Sequence, residues 1–112
     1  MNNVSKGKSG EDMAVKYLKR HFYRILDCNY RCKMGEIDII AQKGGYIIFV
    51  EVKYRKDAEK GLPYEAVNYH KQQHIKNTAL FYLMENNLGE PDCRFDVIDI
   101  LDKKITHYKN AF

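Results

Sequence analysis

The stretch Gly35-Glu36-Ile37-Asp38-Ile39-Ile40-Ala41-Gln42-Lys43-Gly44-Gly45-Tyr46-Ile47-Ile48-Phe49-Val50-Glu51-Val52-Lys53-Tyr54-Arg55-Lys56 decides how the chain folds. Two apolar, β-branched runs flank Gly44-Gly45, the signature of a tight hairpin. With the turn centred on the two glycines, cross-strand partners have residue numbers that sum to 89. Asp38 then faces Glu51, and Glu36 faces Lys53. Strand alternation puts Asp38, Glu51 and Lys53 on one face and Ile37, Ile39, Ile48, Val50 and Val52 on the other. Opposed carboxylates with Cβ atoms ~4.5–5.5 Å apart repel and cost stability. Such a pair calls for a cation between its members, and a divalent metal held by oxygen ligands is the economical one.

Outward from the hairpin, helical spacing of Ala14, Tyr17, Leu18, His21, Phe22 and Ile25 predicts a first helix over roughly 10–23. Ser9 is its expected N-cap, and Glu11 and Asp12 are its expected first-turn acids. Residues 1–8 read as a flexible tail. A short strand is expected over 25–31, then the hairpin strands over 36–42 and 46–54. The charged, Gly- and Pro-containing segment 56–63 reads as a mobile loop. A second helix is expected over 64–86, with Val67, Ile75, Ala79, Tyr82 and Leu83 toward the core and stop signals from Asn86 to Pro91. Strands over 94–101 and 105–109 complete the order α-β-β-β-α-β-β. This describes a single α/β domain with a mixed central sheet flanked by helices, the second helix supplying the crossover that a parallel strand pair needs.

The bulk properties exclude more than they specify. At 112 residues, 45% hydrophobic and 30% charged, the chain suits one ordinary globular core. No run of ~18 apolar residues exists to span a membrane. Met1 to Gly10 lacks the apolar segment of a secretory signal, so the expected compartment is the cytoplasm. A net charge of +4 permits nucleic-acid binding without requiring it. Cys28, Cys32 and Cys93 leave one thiol unpaired in any disulfide scheme. Free thiols are the better reading than a zinc site completed by His21 and His107.

Asp38, twelve intervening residues, and Glu51-Val52-Lys53 resemble the PD-(D/E)xK nuclease pattern, an acid on one strand and acid-x-Lys on the next. Together with the α-β start, the arrangement resembles the restriction-endonuclease-like fold. It is similar to archaeal Holliday-junction resolvases, in which a further Glu comes from the first helix, a position that Glu11 matches. The resemblance is closer still to the YraN-like family of uncharacterised bacterial proteins. It is carried by Gly10-Glu11 with Ala14 and Leu18, Gly35-Glu36-Ile37-Asp38, Phe49-Val50-Glu51-Val52-Lys53 with Arg55, Lys71, and Arg94-Phe95-Asp96-Val97 with Asn110-Ala111-Phe112. The first motif reads Ile37-Asp38 in place of Pro-Asp, which leaves the carboxylate unaltered.

The resemblance implies a nuclease in which Asp38, Glu51 and Glu11 bind Mg²⁺ or Mn²⁺ and Lys53 stabilises charge at the reacting phosphate. Arg55, Lys71, Arg31 and Lys33 are the candidate contacts to a nucleic acid, DNA first, with Lys56 and Lys76 as further cations. Plainer roles stand beside these. Glu51 and Lys53 fit a solvent-facing pair, Glu36 fits a partner for Lys53, Glu11 fits a first-turn acid serving the helix dipole, and Gln72 and Gln73 fit a solvated helix face. Three functions compete: a metal-dependent endonuclease acting on branched or structured DNA, a non-catalytic nucleic-acid-binding module, and an interaction subunit in DNA processing, as a homodimer.

Overall fold

The computed structural model describes the backbone over residues 2–55 and 68–112, with side chains from Ser9 onward. The expected loop 56–63, the expected helix start at 64–67 with its core residue Val67, and Lys56 lie outside the described residues. The order is α1 (Asn2–Arg20), β1 (Arg24–Cys32), β2 (Gly35–Lys43), β3 (Tyr46–Arg55), α2 (Tyr69–Glu85), β4 (Asp92–Leu101) and β5 (Lys104–Tyr108). The five strands form one sheet in the order β1-β2-β3-β4-β5. Only β3 and β4 run parallel, and α2 makes the crossover between them. Neither α1 nor α2 is long and apolar enough to cross a membrane.

The sheet is covered on both faces. On one, Ala14 and Leu18 of α1 pack with Tyr23, Ile39, Ala41, Ile48, Val50, Ile98 and Ile100. On the other, Ile75, Ala79, Tyr82 and Leu83 of α2 pack with Ile37, Ile40, Ile47, Phe49 and Val97. The α2 residues are the expected ones, because i, i+4, i+7 and i+8 spacing makes a single apolar stripe. The first helix differs at both ends. It begins at Asn2, so the expected tail carries helix and Ser9 is not the cap. No proline interrupts Asn2 to Arg20, and Gly10 serves contact rather than termination. A Cβ on Gly10 would lie 3.0 Å from Tyr54 Cβ, so the missing side chain is what lets α1 lie against β3.

At the other end, α1 stops at Arg20 because Phe22 takes a left-handed conformation (φ 69°). The Tyr23 N–H donates to Leu18 O and the Phe22 N–H to Lys19 O, a Schellman ending. Phe22 is therefore turned out and 87% exposed, while Tyr23 takes the core position that periodicity assigns to Phe22. The same ending closes α2, with Asn87 left-handed and the Leu88 N–H on Leu83 O. At its start, Asn68 is the N-cap and accepts from the Lys71 N–H.

On the α1 side, Asp96 is completely buried and fully bonded. It accepts from Arg94 Nε and Nη2 at 2.9 Å each, from the Asn110 N–H at 2.9 Å, and lies 2.6 Å from His107 Nε2. Tyr17 Oη meets His107 Nδ1, and Arg94 also donates to Tyr23 Oη, so one carboxylate ties α1, β4 and β5 together. Burial alone would raise the Asp96 carboxyl; the His107 and Arg94 hydrogen bonds outweigh it and hold the group below the usual range. A depressed acid stabilises the fold above its unfolded pKa, and that contribution is lost as pH falls through the folded value. Asp96→Ala should cost about 3–5 kcal/mol in urea unfolding, the scale for leaving buried charges without their partner. A loss below about 1 kcal/mol would contradict this role for the network.

Candidate metal-dependent active site

The hairpin register is the one the glycines imply. Lys43 pairs with Tyr46 and Ile39 with Val50, each pair summing to 89. Gly44 alone of the two turn glycines has positive φ (61°), as a type II′ turn requires at its first central position. The β2–β3 ladder ends at Ile39–Val50, one pair short of Asp38 and Glu51. Beyond it, β2 stays paired with β1 as far as Gly35, and β3 stays paired with β4 as far as Arg55. The sheet forks there, and Asp38 bridges the fork by accepting the Val52 N–H at 2.8 Å.

The alternation of β2 changes at the fork. Opposite the fork on β1, Asn29 is left-handed (φ 56°), while the β1–β2 register continues on both sides of it, from Cys28–Ile39 to Tyr30–Ile37. Ile37 packs on the α2 side while Ile39 packs on the α1 side. Strict alternation, which assigns both to one face, fails at this point. The change of face at Asp38 directs its carboxylate to β3 instead of a sheet face.

The N-terminal half of α2 roofs the fork. Gly35, Glu36, Asp38, Glu51, Lys71, His74 and Ile75 enclose a cleft of about 220 Å³. Glu51 is only 7% exposed, so it is not half of a solvent-facing pair. Its Oε2 lies 2.7 Å from Lys71 Nζ and 3.8 Å from Lys53 Nζ. The His74 ring is held by its Nδ1, 2.9 Å from Met34 O in the β1–β2 turn.

Burial and then the Glu51 charge push the Asp38 carboxyl up to about 7, against the pull of the Val52 N–H. Glu11 and Glu36 add to the rise. Lys53 is lowered by burial and by the neighbouring Lys71 ammonium, with Glu51 and Asp38 opposing. Burial also works against Lys71, but its hydrogen bond to Glu51 prevails and raises it.

Of the expected residues, Asp38, Glu51, Lys53 and Lys71 come together at the fork. Glu11 acts on Asp38 by charge, but among the described residues no three His, Cys, Asp or Glu side chains form a metal-sized group. It comes from α1, on the far face of the sheet, and lies in mid-helix, so it is not a first-turn acid either. Glu36 does not partner Lys53. The fork carries it away with β1, where Arg31 Nε lies 3.3 Å from its Oε2. Arg55 is 17% exposed and grips Asp99 with two hydrogen bonds of 3.0 and 3.2 Å, so its guanidinium fork serves β4 instead of an open surface. Arg31 and Lys33 are exposed beside the β1–β2 turn. The three cysteines are free thiols. His74 was not singled out from the sequence. Its signal is the spacing Lys71, His74, Ile75, Thr78, one face of α2.

The family model described as uncharacterised protein family UPF0102 matches residues 10–100, which span both motif strands and α2. The chain belongs to UPF0102. This is the family to which the YraN-like resemblance points. The UPF0102 protein of Alkaliphilus oremlandii is 52% identical over 98% of this chain and 99% of the relative. That of Lachnoclostridium phytofermentans is 50% identical over 100% of this chain and 96% of the relative. The Clostridioides difficile UPF0102 protein is 48% identical over the full length of both.

The raised Asp38 carboxyl has a measurable consequence. Between its ordinary value of 3.8 and about 7, the folded chain holds a proton that the unfolded chain has released. Stability therefore falls as pH rises through that window. Asp38→Asn, which keeps an oxygen for the Val52 N–H, should be more stable than wild type above pH 7 in metal-free buffer. The advantage should shrink toward pH 4 when urea midpoints are compared. An advantage that is absent at alkaline pH would contradict the carboxylate pairing.

Proposed function

We propose that this UPF0102 protein has a restriction-endonuclease-like fold and is a divalent-cation-dependent endonuclease acting on DNA, on branched or structured substrates. The observation that carries the reading is the Asp38 carboxylate held beside Glu51 at the mouth of a forked hairpin, with Lys53 on the same edge. A buried acid and a half-buried one in mutual repulsion suit a hard cation. Two carboxylates are also a sufficient protein contribution for Mg²⁺ or Mn²⁺, which keep waters and take substrate phosphate oxygens as further ligands. When bound, such a cation polarises a phosphodiester and lowers the pKa of a water.

The chain's own residues do the rest. Asp38 and Glu51 are the proposed ligands, and Glu11 contributes charge from α1. Lys53, 22% exposed on β3, keeps its ammonium beside Glu51 and supplies positive charge to the phosphate as it becomes more negative. Lys71, Arg31 and Lys33 surround the cleft and its turn, and are the proposed phosphate contacts. Among the described residues no element has the form of a base-reading helix or finger, so the proposed binding follows the backbone and not the sequence.

The test is a panel of linear, flapped and four-way DNA incubated with Mg²⁺ or Mn²⁺. Cleavage should appear in wild type and vanish in Asp38→Ala. Lys53→Ala should cut the rate by about 10²–10³-fold, the scale for removing one preorganised stabilising donor. Equal cleavage by Lys53→Ala would remove Lys53 from the mechanism. Binding without cleavage of any substrate would move the assignment to a non-catalytic nucleic-acid module.

DNA affinity should also fall steeply with salt, log K declining with log salt at ~0.9 per neutralised phosphate. Salt-insensitive or sequence-selective binding would count against a backbone-following interface.

A further inference from the structure

Glu51 holds two ammonium groups with one oxygen. Lys71 Nζ is 2.7 Å from Oε2 and Lys53 Nζ is 3.8 Å from the same atom. A divalent ion on that carboxylate competes with the two lysines, because like charges at such distances repel in a partly buried site.

The two lysines differ in their freedom to leave. Lys53 is 22% exposed and fixed to a strand paired along its length with β4. Lys71 is 41% exposed and stands three residues after the N-cap of α2, with a flexible four-carbon stem at the rim of the cleft. Its partner also differs from those of Arg55 and Arg94. Arg55 and Arg94 are tied to Asp99 and Asp96, buried aspartates outside the cleft lining, whereas Lys71 is tied to a proposed ligand.

Resting on the nuclease reading, we propose that Lys71 is a displaceable plug: it occupies the cation's place on Glu51 in the metal-free protein and transfers to a DNA phosphate when the cation binds. The plug keeps Glu51 compensated while the site is empty, and it links loading of the cation to gain of a phosphate contact. Binding of metal and binding of DNA then reinforce each other, because each takes a partner that the other releases.

The experiment is Mn²⁺ titration by calorimetry, without DNA, of wild type, Lys71→Met, Lys71→Arg and Lys104→Met. Lys71→Met keeps the stem and removes the competing charge, and Glu51 retains Lys53. It should bind Mn²⁺ about tenfold more tightly, the low end for removing a charge-assisted hydrogen bond. Lys71→Arg should stay near wild type. Lys104→Met removes the same unit charge from the start of β5, so it should also stay near wild type and exclude a general charge effect.

In the presence of Ca²⁺, Lys71→Met should bind a short DNA duplex more weakly, with the salt slope reduced by about one phosphate. Unchanged or weaker Mn²⁺ binding by Lys71→Met, with wild type binding normally, would overturn the plug and leave the nuclease reading standing. An unchanged DNA salt slope in that variant would overturn the transfer to phosphate. No Mn²⁺ binding by either protein would overturn the metal site itself, and the plug with it.

Discussion

One hydrogen bond organises the candidate site: the Val52 N–H on Asp38 Oδ2, 2.8 Å across the point where β2 and β3 part. Two strands that separate inside a sheet expose backbone groups that must be satisfied. Here a carboxylate side chain does what the next ladder pair would have done. This lets the hairpin open without leaving a buried donor unpaired, and it fixes the Asp38 carboxylate beside Glu51. Among the described residues, no buried side-chain nitrogen or oxygen lacks a partner. The like-charge cost of the acid pair is offset by burying it beside Lys53 and Lys71, not by moving the acids apart.

The two faces of the sheet divide the work. The α1 side is closed by the Asp96 network, in which Arg94, His107, Tyr17 and Tyr23 satisfy one another around a carboxylate with no exposure. It gives β3 and β4 a rigid back. The α2 side packs tightly from Ile75 onward, and its first turn, with Lys71, overhangs the fork. Fixed acids from the sheet therefore meet a more adaptable cation from the helix, an arrangement suited to a site that exchanges one positive partner for another.

Much of this was legible in the sequence where local rules act alone. Gly44-Gly45 specified the turn and, through it, the pairing of Ile39 with Val50. The spacing of Ile75, Ala79, Tyr82 and Leu83 specified the buried stripe of α2. Departures came where the backbone left the regular repeat. Left-handed Phe22 exchanged places with Tyr23, and β2 changes face between Ile37 and Ile39, where it parts from β3. Other departures needed contacts between distant segments. Glu36 follows β1 because the sheet forks, which hairpin symmetry does not reveal. Arg55 meets Asp99 through the β3–β4 register, set by a crossover with no turn to count from. Lys71 and His74 join the site only once α2 is docked, although their shared helix face with Ile75 was visible in their spacing.

The central claim is that the fork is a divalent-cation site, and paramagnetic broadening tests it most directly. Trace Mn²⁺ added to the isotopically labelled protein should broaden the backbone amide signals of Asp38, Glu51, Val52 and Lys53 first, with Lys71 and His74 close behind. Asp38→Asn should abolish that pattern. Broadening that starts instead at other acids, such as Asp92 or Asp102, or that survives Asp38→Asn unchanged, would contradict the account.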